Sequence, residues 1–383
     1  MGNARYIKSL DGLRAIAILL VVFFHYFFIL ECGWIGVQLF FVLSGFLITA
    51  ILLDTKHLPV KSYFKRFYWR RSVRIFPVYY LYLFGITLIF LVGNIPDTFE
   101  MSWKYLYSYT YNFAPIISGY FYDGFFTHFW SLAVEEQFYL LWPLVIFIFN
   151  RKALKIVIIS IVVLSPIVRL FLTDWFINNG YELKSVGELT YRFTFSQLDA
   201  FAFGAAIPVF RIKLIERKRL ALLLSSVAIF LVAGTFNYFQ MVSYGYEVGI
   251  SSLGYPIGSI FNYQHIWSYT LINVLTFSLI VYLSNDTKLS ILSRILENPV
   301  LVYIGKISYG IYIYHWLLFT VHKLYVHQHM PNAIISFAFY FTVVMLISSL
   351  SWYFFEKICL RLKDEDLLKR YAIKLKNLKL KTT

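Results

Sequence analysis

Three ionisable side chains near the N-terminus border or interrupt an apolar stretch. Asp11 and Arg14 are followed by ten uncharged residues and then by His25. On a helix, Arg14 and His25 lie about three turns and roughly 16 Å apart on one face, with Asp11 near the same face. A neutral imidazole can accept a proton from an alcohol near neutral pH. Because an ionisable residue inside a membrane helix is costly, this spacing indicates chemistry at His25.

A second group of polar residues begins at His128. On a helix, Ser131, Glu135 and Tyr139 share one stripe with it. Glu136 points about 100° away from that stripe. Two adjacent carboxylates at the start of a helix could cap its N-terminus. Glu135 lies about two turns inside the segment, however, and this position favours a carboxylate that lines a cavity.

A third group contains Ser308, Tyr312 and His315, which a helix places on one face with Lys306 opposite. Hydrogen bonds between helices explain such residues as well as a ligand site does. The pattern leaves a structural and a ligand-binding interpretation open.

Three arginines, Arg70, Arg71 and Arg74, stand just before the third apolar segment. Retention of membrane orientation alone explains clustered arginines at that place. Guanidinium groups also bind phosphates through paired, charge-assisted hydrogen bonds. The cluster is therefore a candidate phosphate site.

The composition indicates a membrane protein. Of the 383 residues, 59% are hydrophobic and only 14% are charged, whereas about a quarter are charged in soluble domains. The apolar residues form blocks of roughly 18–22, which is enough to cross a bilayer as helices. Backbone groups in lipid must bond within their own segment unless a closed barrel forms. We therefore predict an all-α polytopic membrane protein.

We predict about ten transmembrane helices, at residues 13–31, 34–53, 75–93, 129–149, 156–173, 194–210, 220–236, 266–283, 299–319 and 333–354. With this arrangement, 28 of the 35 Lys and Arg residues fall on one side of the membrane. The positive-inside rule makes that side cytoplasmic, so both termini are predicted to be inside. The net charge of +15 then follows from topology and from attraction to anionic lipid headgroups, and nothing indicates nucleic acid.

Two further segments outside the spans carry information. The predicted outer loops 94–128 and 237–265 are rich in aromatic residues, which suits either an interfacial belt or a platform for sugar rings. Residues 357–383 form a basic cytoplasmic tail that is predicted to lie on the inner leaflet as an amphipathic helix. We therefore divide the chain into a membrane domain, 1–356, and this tail.

Motifs for other chemistry are weak. The sequence has no Gly-rich phosphate loop and no His-Glu-x-x-His zinc motif. His327-x-His329 has no convincing further ligands, so no metal site is predicted.

Taken together, the motifs resemble those of membrane acyltransferase family 3, the transmembrane O-acetyltransferases of bacterial surface sugars. The resemblance covers almost the whole chain. It rests on Arg14-x10-His25, on Gly36 to Leu47 with Ser44, on Arg70-Arg71-x-x-Arg74-Ile-x-Pro77, on Trp130-Ser-Leu-x-x-Glu135-x-x-Phe-Tyr139, and on Ser308-Tyr309-x-x-Tyr312. The sequence departs from the family at Gln38, where an acidic residue is frequent, and after Glu356, where a proline often follows.

The resemblance implies a donor and an acceptor on opposite sides of a bacterial inner (plasma) membrane. The donor is acetyl-CoA from the cytoplasm. The acceptor is a hydroxyl of an extracytoplasmic glycan, such as the O-antigen of lipopolysaccharide, an exopolysaccharide, peptidoglycan or an antibiotic sugar. Arg14, Arg70, Arg71 and Arg74 are then the candidates that bind the CoA phosphates.

The same resemblance gives the other candidate residues their roles. His25, near mid-membrane, is the catalytic base or a transient acyl carrier, two roles that the sequence does not separate. Glu135 or Asp11 orients its imidazole, and Ser44 helps to stabilise the oxyanion. The candidate substrate-binding residues are Trp130, Ser131, Tyr139, Ser308, Tyr309, Tyr312 and His315.

Two other function classes remain open from the sequence. A flippase or exporter of a lipid-linked glycan also needs cationic inner mouths and aromatic outer loops. A membrane scaffold is a further class, but it leaves the buried Arg, His and Glu residues unexplained. Turnover of CoA by the purified protein distinguishes the enzyme from the exporter.

Overall fold

A computed structural model of the protein describes residues 6–27, 30–93, 96–118, 125–284, 290–330 and 332–363. Throughout these ranges the regular structure is helical, and no strand occurs in them. The predicted all-α fold class is confirmed. Of the predicted tail helix, residues 364–383 lie outside the described residues.

Fifteen α-helices follow one another along the described chain. They are α1, Lys8–Phe27; α2, Ile35–Thr55; α3, Val60–Val92; α4, Asp97–Tyr107; α5, Ala114–Ser118; α6, Phe129–Ile148; α7, Arg151–Asn178; α8, Leu183–Arg192; α9, Thr194–Phe210; α10, Glu216–Ser243; α11, Gln264–Ser284; α12, Ile291–Leu296; α13, Pro299–Tyr325; α14, Ala333–Ser351; and α15, Lys357–Arg361.

Eight helical segments of the described chain are long and apolar enough to cross a membrane, and a ninth results if α8 and α9, bent by 43°, form one span. Nine of the ten predicted spans coincide with these segments. The remaining predicted span, 299–319, lies in α13, which is not one of the segments long and apolar enough to cross. Polar residues such as Lys306 and His315 lower the hydropathy of α13, so its crossing stays a prediction.

The described chain divides into two compact units. One comprises Met1–His57 and Asp97–Ser308, and the other comprises Leu58–Pro96 and Tyr309–Thr383.

In the first unit, α2 and α9 approach closely through glycines. A Cβ atom added at Gly45 would lie 2.1 Å from the carbonyl oxygen of Phe201, and one added at Gly204 would lie 2.0 Å from that of Val42. Both distances are far below van der Waals contact. Small residues allow helix backbones to meet in this way in membrane proteins.

We expect Gly45→Val to destabilise the protein by at least about 1–3 kcal/mol, because the new side chain must push α9 away from α2. The measurement is the thermal midpoint and monodisperse yield of the detergent-purified protein. Gly85→Val is the matched control, since a Cβ atom there meets nothing within 4 Å. Equal behaviour of the two variants would contradict this packing.

In the second unit, α3 begins at Val60, fifteen residues before the predicted span 75–93. Tyr63 and Phe67, one turn apart, are both buried, so an amphipathic stripe extends the helix toward its N-terminus. The arginine cluster, which precedes the predicted span, therefore lies on the same helix as that span.

Candidate active site

Helix α1 carries the Asp11, Arg14 and His25 side chains. It runs without a break from Lys8 to Phe27, so the predicted common face of Arg14 and His25 is present. His25 lies in the last turn of α1, half-buried, with its ring centroid 5.1 Å from that of Phe24. Its predicted position near mid-membrane stays a prediction.

The carboxylate of Asp11 is engaged locally. It accepts a hydrogen bond from the Tyr6 hydroxyl. Desolvation is the larger cause and this hydrogen bond the next, and together they raise the pKa of Tyr6 to about 12. Asp11 and His25 are fourteen residues apart on one straight helix, or about 21 Å. That distance excludes a direct hydrogen bond, so Asp11 does not orient the imidazole.

Two glycines fix the N-terminal end of α1 within the first unit. A Cβ atom at Gly12 would lie 1.9 Å from the carbonyl oxygen of Leu296, and one at Gly305 would lie 1.9 Å from that of Asp11. These contacts hold α1 against α12 and the start of α13. They give Arg14, half a turn further on, a rigid support.

The half-buried Arg14 guanidinium forms neither a hydrogen bond nor an ion pair with another side chain in the part of the chain that the structure describes. The Arg14 cation is therefore favourably placed for an anionic ligand, because no carboxylate among the described residues forms an ion pair with it.

Two of the predicted motifs meet in a hydroxyl–carboxylate cluster formed by Ser44 of α2 with Glu135 and Tyr139 of α6. Both hydroxyls donate to the same Glu135 oxygen, Oε1. The Ser44 Oγ and Tyr139 Oη atoms are 3.0 Å apart. Glu135 thus lines a polar site inside the bundle rather than capping a helix, which favours the cavity interpretation.

This geometry changes the expected role of Ser44. A serine hydroxyl carries one proton, and Ser44 donates it to Glu135. In this arrangement Ser44 has no proton left for an oxyanion. The cluster instead holds two hydroxyl groups on one carboxylate oxygen, which is how an acceptor alcohol would also be bound and activated.

Glu135→Gln is expected to lower the acetyl transfer that the family resemblance implies by about 10²-fold, because the neutral amide is a far weaker hydrogen-bond acceptor than the carboxylate. Steady-state transfer rates on the purified protein measure this effect. Glu136→Gln is the matched control, being the adjacent carboxylate on another face of α6. Comparable losses in the two variants would contradict the special position of Glu135.

The aromatic and hydroxyl residues at the start of α6 are more buried than a sugar platform requires. Trp130 is buried, with ring centroids 4.9 Å from Tyr191 and 6.1 Å from Phe41. The hydroxyl of Ser131 donates to the carbonyl of His128, 3.3 Å away, within the same turn. Neither residue presents a free face to a glycan in this conformation.

Exposed aromatic rings lie instead in the loop before α11. Tyr244 and Tyr246 are exposed, and their ring centroids lie 5.5 and 5.0 Å from that of Phe261. Tyr263 next to them is also exposed. This group within the predicted loop 237–265 fits both an interfacial belt and a sugar platform.

In the second unit, the residues of the third motif are engaged in hydrogen bonds. The Tyr309 hydroxyl donates to the carbonyl of Ile75, 2.8 Å away on α3. His315 is fully buried, its Nδ1 lies 2.8 Å from the Tyr312 carbonyl, and its own carbonyl accepts from Tyr340 at 3.0 Å. These bonds match the structural interpretation. Ser308 is buried in the first unit.

Sequence reasoning gave no role to Glu356, which the structure marks as unusual. It ends a π-helical turn, Trp352–Glu356, and its side chain is buried. Ser351 donates to its Oε1 at 3.1 Å and lies 3.0 Å from the Tyr314 hydroxyl. Single π turns are frequent at functional sites. A lone acidic residue at the end of an apolar segment was the available signal.

Sequence reasoning also missed a fully buried ion pair between Arg169 of α7 and Asp199 of α9. Thr270 of α11 donates to the same Asp199 oxygen at 2.7 Å, and the guanidinium stacks on Tyr269 at 5.4 Å. Three helices of the first unit are tied together at this point. Asp199 is the only acidic residue of α9, which was the signal that sequence reasoning could have used.

No cluster of three or more His, Cys, Asp or Glu residues suited to a metal ion occurs among the residues that the structure describes. Gln38, which replaces an acidic residue in the resembled motif, donates to Gln197 at 2.6 Å. It therefore serves in packing between α2 and α9.

A family model described as an acyltransferase domain matches residues 7–353. A candidate O-acetyltransferase of Staphylococcus aureus strain COL is 27% identical over 359 residues, covering 85% of this chain and 53% of that protein. Peptidoglycan O-acetyltransferase OatA of Listeria monocytogenes is 28% identical over 376 residues, covering 92% and 56%.

The chain spans about half the length of these curated relatives. No solved structure matches it significantly.

Proposed function

Because this chain belongs to the acyltransferase family whose domain matches residues 7–353, we propose that it is a transmembrane O-acetyltransferase. It transfers an acetyl group from cytoplasmic acetyl-CoA to a hydroxyl of an extracytoplasmic glycan. Relatives named as O-acetyltransferases support the reaction, and the apolar helices support a multi-pass membrane location. The charge distribution supports inner termini, and the bacterial relatives support a bacterial inner membrane.

The observation that carries this proposal is the arrangement of Arg14 and His25 on α1. Arg14 has no side-chain partner among the described residues, and His25 lies about 16 Å further along the same face. The pantetheine arm of CoA is long enough to cover this distance. Arg14 then binds a CoA phosphate while the thioester carbonyl reaches His25.

His25 acts on the acceptor hydroxyl. The neutral imidazole removes the hydroxyl proton as the oxygen attacks the thioester carbonyl, and the C–S bond then breaks. The imidazolium returns the proton to the departing CoA thiolate, so the products are the O-acetyl ester and CoA thiol. In the alternative order of steps, His25 first takes the acetyl group itself and then passes it to the hydroxyl.

Glu135 assists by binding the acceptor. Its Oε1 already accepts two hydrogen bonds, from the hydroxyl groups of Ser44 and Tyr139. A sugar hydroxyl that replaces one of them, other than the hydroxyl that gives its proton to His25, is held by a carboxylate and positions the acceptor. Peptidoglycan is the acceptor in the name of the Listeria relative, and we place it first among the glycan classes to test.

The test uses purified full-length protein with acetyl-CoA and a set of glycan fragments. We expect CoA thiol to be released only when an acceptor is present, and mass spectrometry to show one added acetyl group on the glycan. Movement of a lipid-linked glycan across proteoliposomes without thioester consumption would overturn the proposal and support an exporter instead.

A further inference from the structure

A second buried arginine of the first unit has no part in the proposed reaction. Arg219 lies in the first turn of α10, and Ser226 and Phe230, further along the same helix, are buried with it. Seven and eleven residues separate them from Arg219, so all three lie on one face. Ser226 hydrogen-bonds Ser278 of α11 at 2.6 Å. Arg219 therefore points into the contact between α10 and α11.

The Arg219 guanidinium is enclosed by protein but forms no ion pair with a described residue. The residue is 4% exposed, and its Nε and Nη1 atoms have no hydrogen-bond partner in the described parts of the chain. The group stacks on the ring of Tyr282 in α11, 5.7 Å away. Arginine does not lose its proton in proteins. Since a buried unpaired charge is strongly unfavourable, this one needs an anion.

The surroundings indicate which anion. The segment 211–219 contains five Lys or Arg residues and one acidic residue, Glu216. It belongs to the side predicted to be cytoplasmic, where anionic phospholipids are found. The guanidinium fork matches phosphate geometry, and basic pockets between the inner ends of membrane helices bind lipid headgroups.

We propose that Arg219 binds the phosphate of an anionic phospholipid at the inner ends of α10 and α11. Tyr282 supports the guanidinium from one side, and the unpaired Nε and Nη1 atoms donate to the phosphate oxygens. The bound headgroup joins two helices of the first unit that otherwise meet through uncharged side chains such as Ser226 and Ser278. This site is independent of the proposed acetyl transfer.

The test measures the thermal midpoint of the purified full chain in detergent with added lipid. We expect phosphatidylglycerol, but not phosphatidylcholine, to raise the midpoint of the wild type by about 3 °C. Arg219→Gln abolishes this rise. Arg217→Gln keeps it, because Arg217 is an exposed arginine in the same turn. Native mass spectrometry of the same samples shows one retained phosphatidylglycerol that Arg219→Gln loses.

Three outcomes would overturn the proposal. One is an equal rise in the Arg219→Gln and Arg217→Gln variants. Another is a rise with pyrophosphate or CoA but not with phosphatidylglycerol, which would assign the phosphate to a soluble ligand. The third is the absence of any rise with phosphatidylglycerol in the wild type. If Arg219→Gln does not fold, the same measurements use Arg219→Lys, which keeps the charge but lacks the planar guanidinium group.

Discussion

Replacing His25 by alanine is expected to lower acetyl transfer by about 10²–10⁴-fold, the contribution of a positioned general base. Arg14→Ala is expected to remove transfer as well, because the donor phosphate loses its ligand. Both variants remain inserted in the membrane, since neither side chain is fully buried. Mass spectrometry of surface glycan from cells that express each variant measures the loss.

The control for this prediction is His329→Ala, which removes an exposed imidazole from the short turn after α13. It is expected to leave transfer at the wild-type level. Normal acetylation in the His25→Ala strain would remove His25 from the mechanism, whatever the result for Arg14→Ala.

Asp199→Asn is expected to destabilise the protein by about 3–5 kcal/mol, because it leaves the Arg169 guanidinium buried without its counter-charge. Thr270 and Tyr269 remain in place but are neutral. The thermal midpoint and the folded yield in detergent measure this loss. Asp174→Asn, an exposed carboxylate on α7, is the control and is expected to change little.

A double variant separates charge from packing at this ion pair. Arg169→Met combined with Asp199→Leu removes both charges and keeps apolar volume, so it is expected to recover much of the stability that Asp199→Asn loses. A double variant less stable than Asp199→Asn would show that hydrogen bonding to Thr270, and not charge balance, governs this part of the fold.

Hydropathy predicted the helices because each apolar block must satisfy its own backbone in lipid. Hydropathy placed the ends of α2 and α6 within about two residues of those in the structure, since local composition changes at these ends. It failed at α3, where a stripe of buried aromatic residues extends the helix through charged sequence.

The candidate site was predictable residue by residue but not as an arrangement. Helical spacing identified Glu135 and Tyr139 as neighbours. Nothing in the spacing indicated that Ser44, ninety-one residues before Glu135, donates to the same carboxylate. Asp199 was missed for the same reason, since its partner lies thirty residues away on another helix. Contacts between distant segments depend on packing, which a single sequence does not specify.

The most direct test of transmembrane acetyl transfer uses sealed inverted membrane vesicles with a glycan acceptor enclosed in the lumen. Radiolabelled acetyl-CoA is added outside, at the former cytoplasmic face. Transmembrane transfer that depends on His25 predicts labelled glycan in the lumen with the wild-type protein and none with His25→Ala. Labelling that occurs only when donor and acceptor are on the same side, or equally with both proteins, would contradict it.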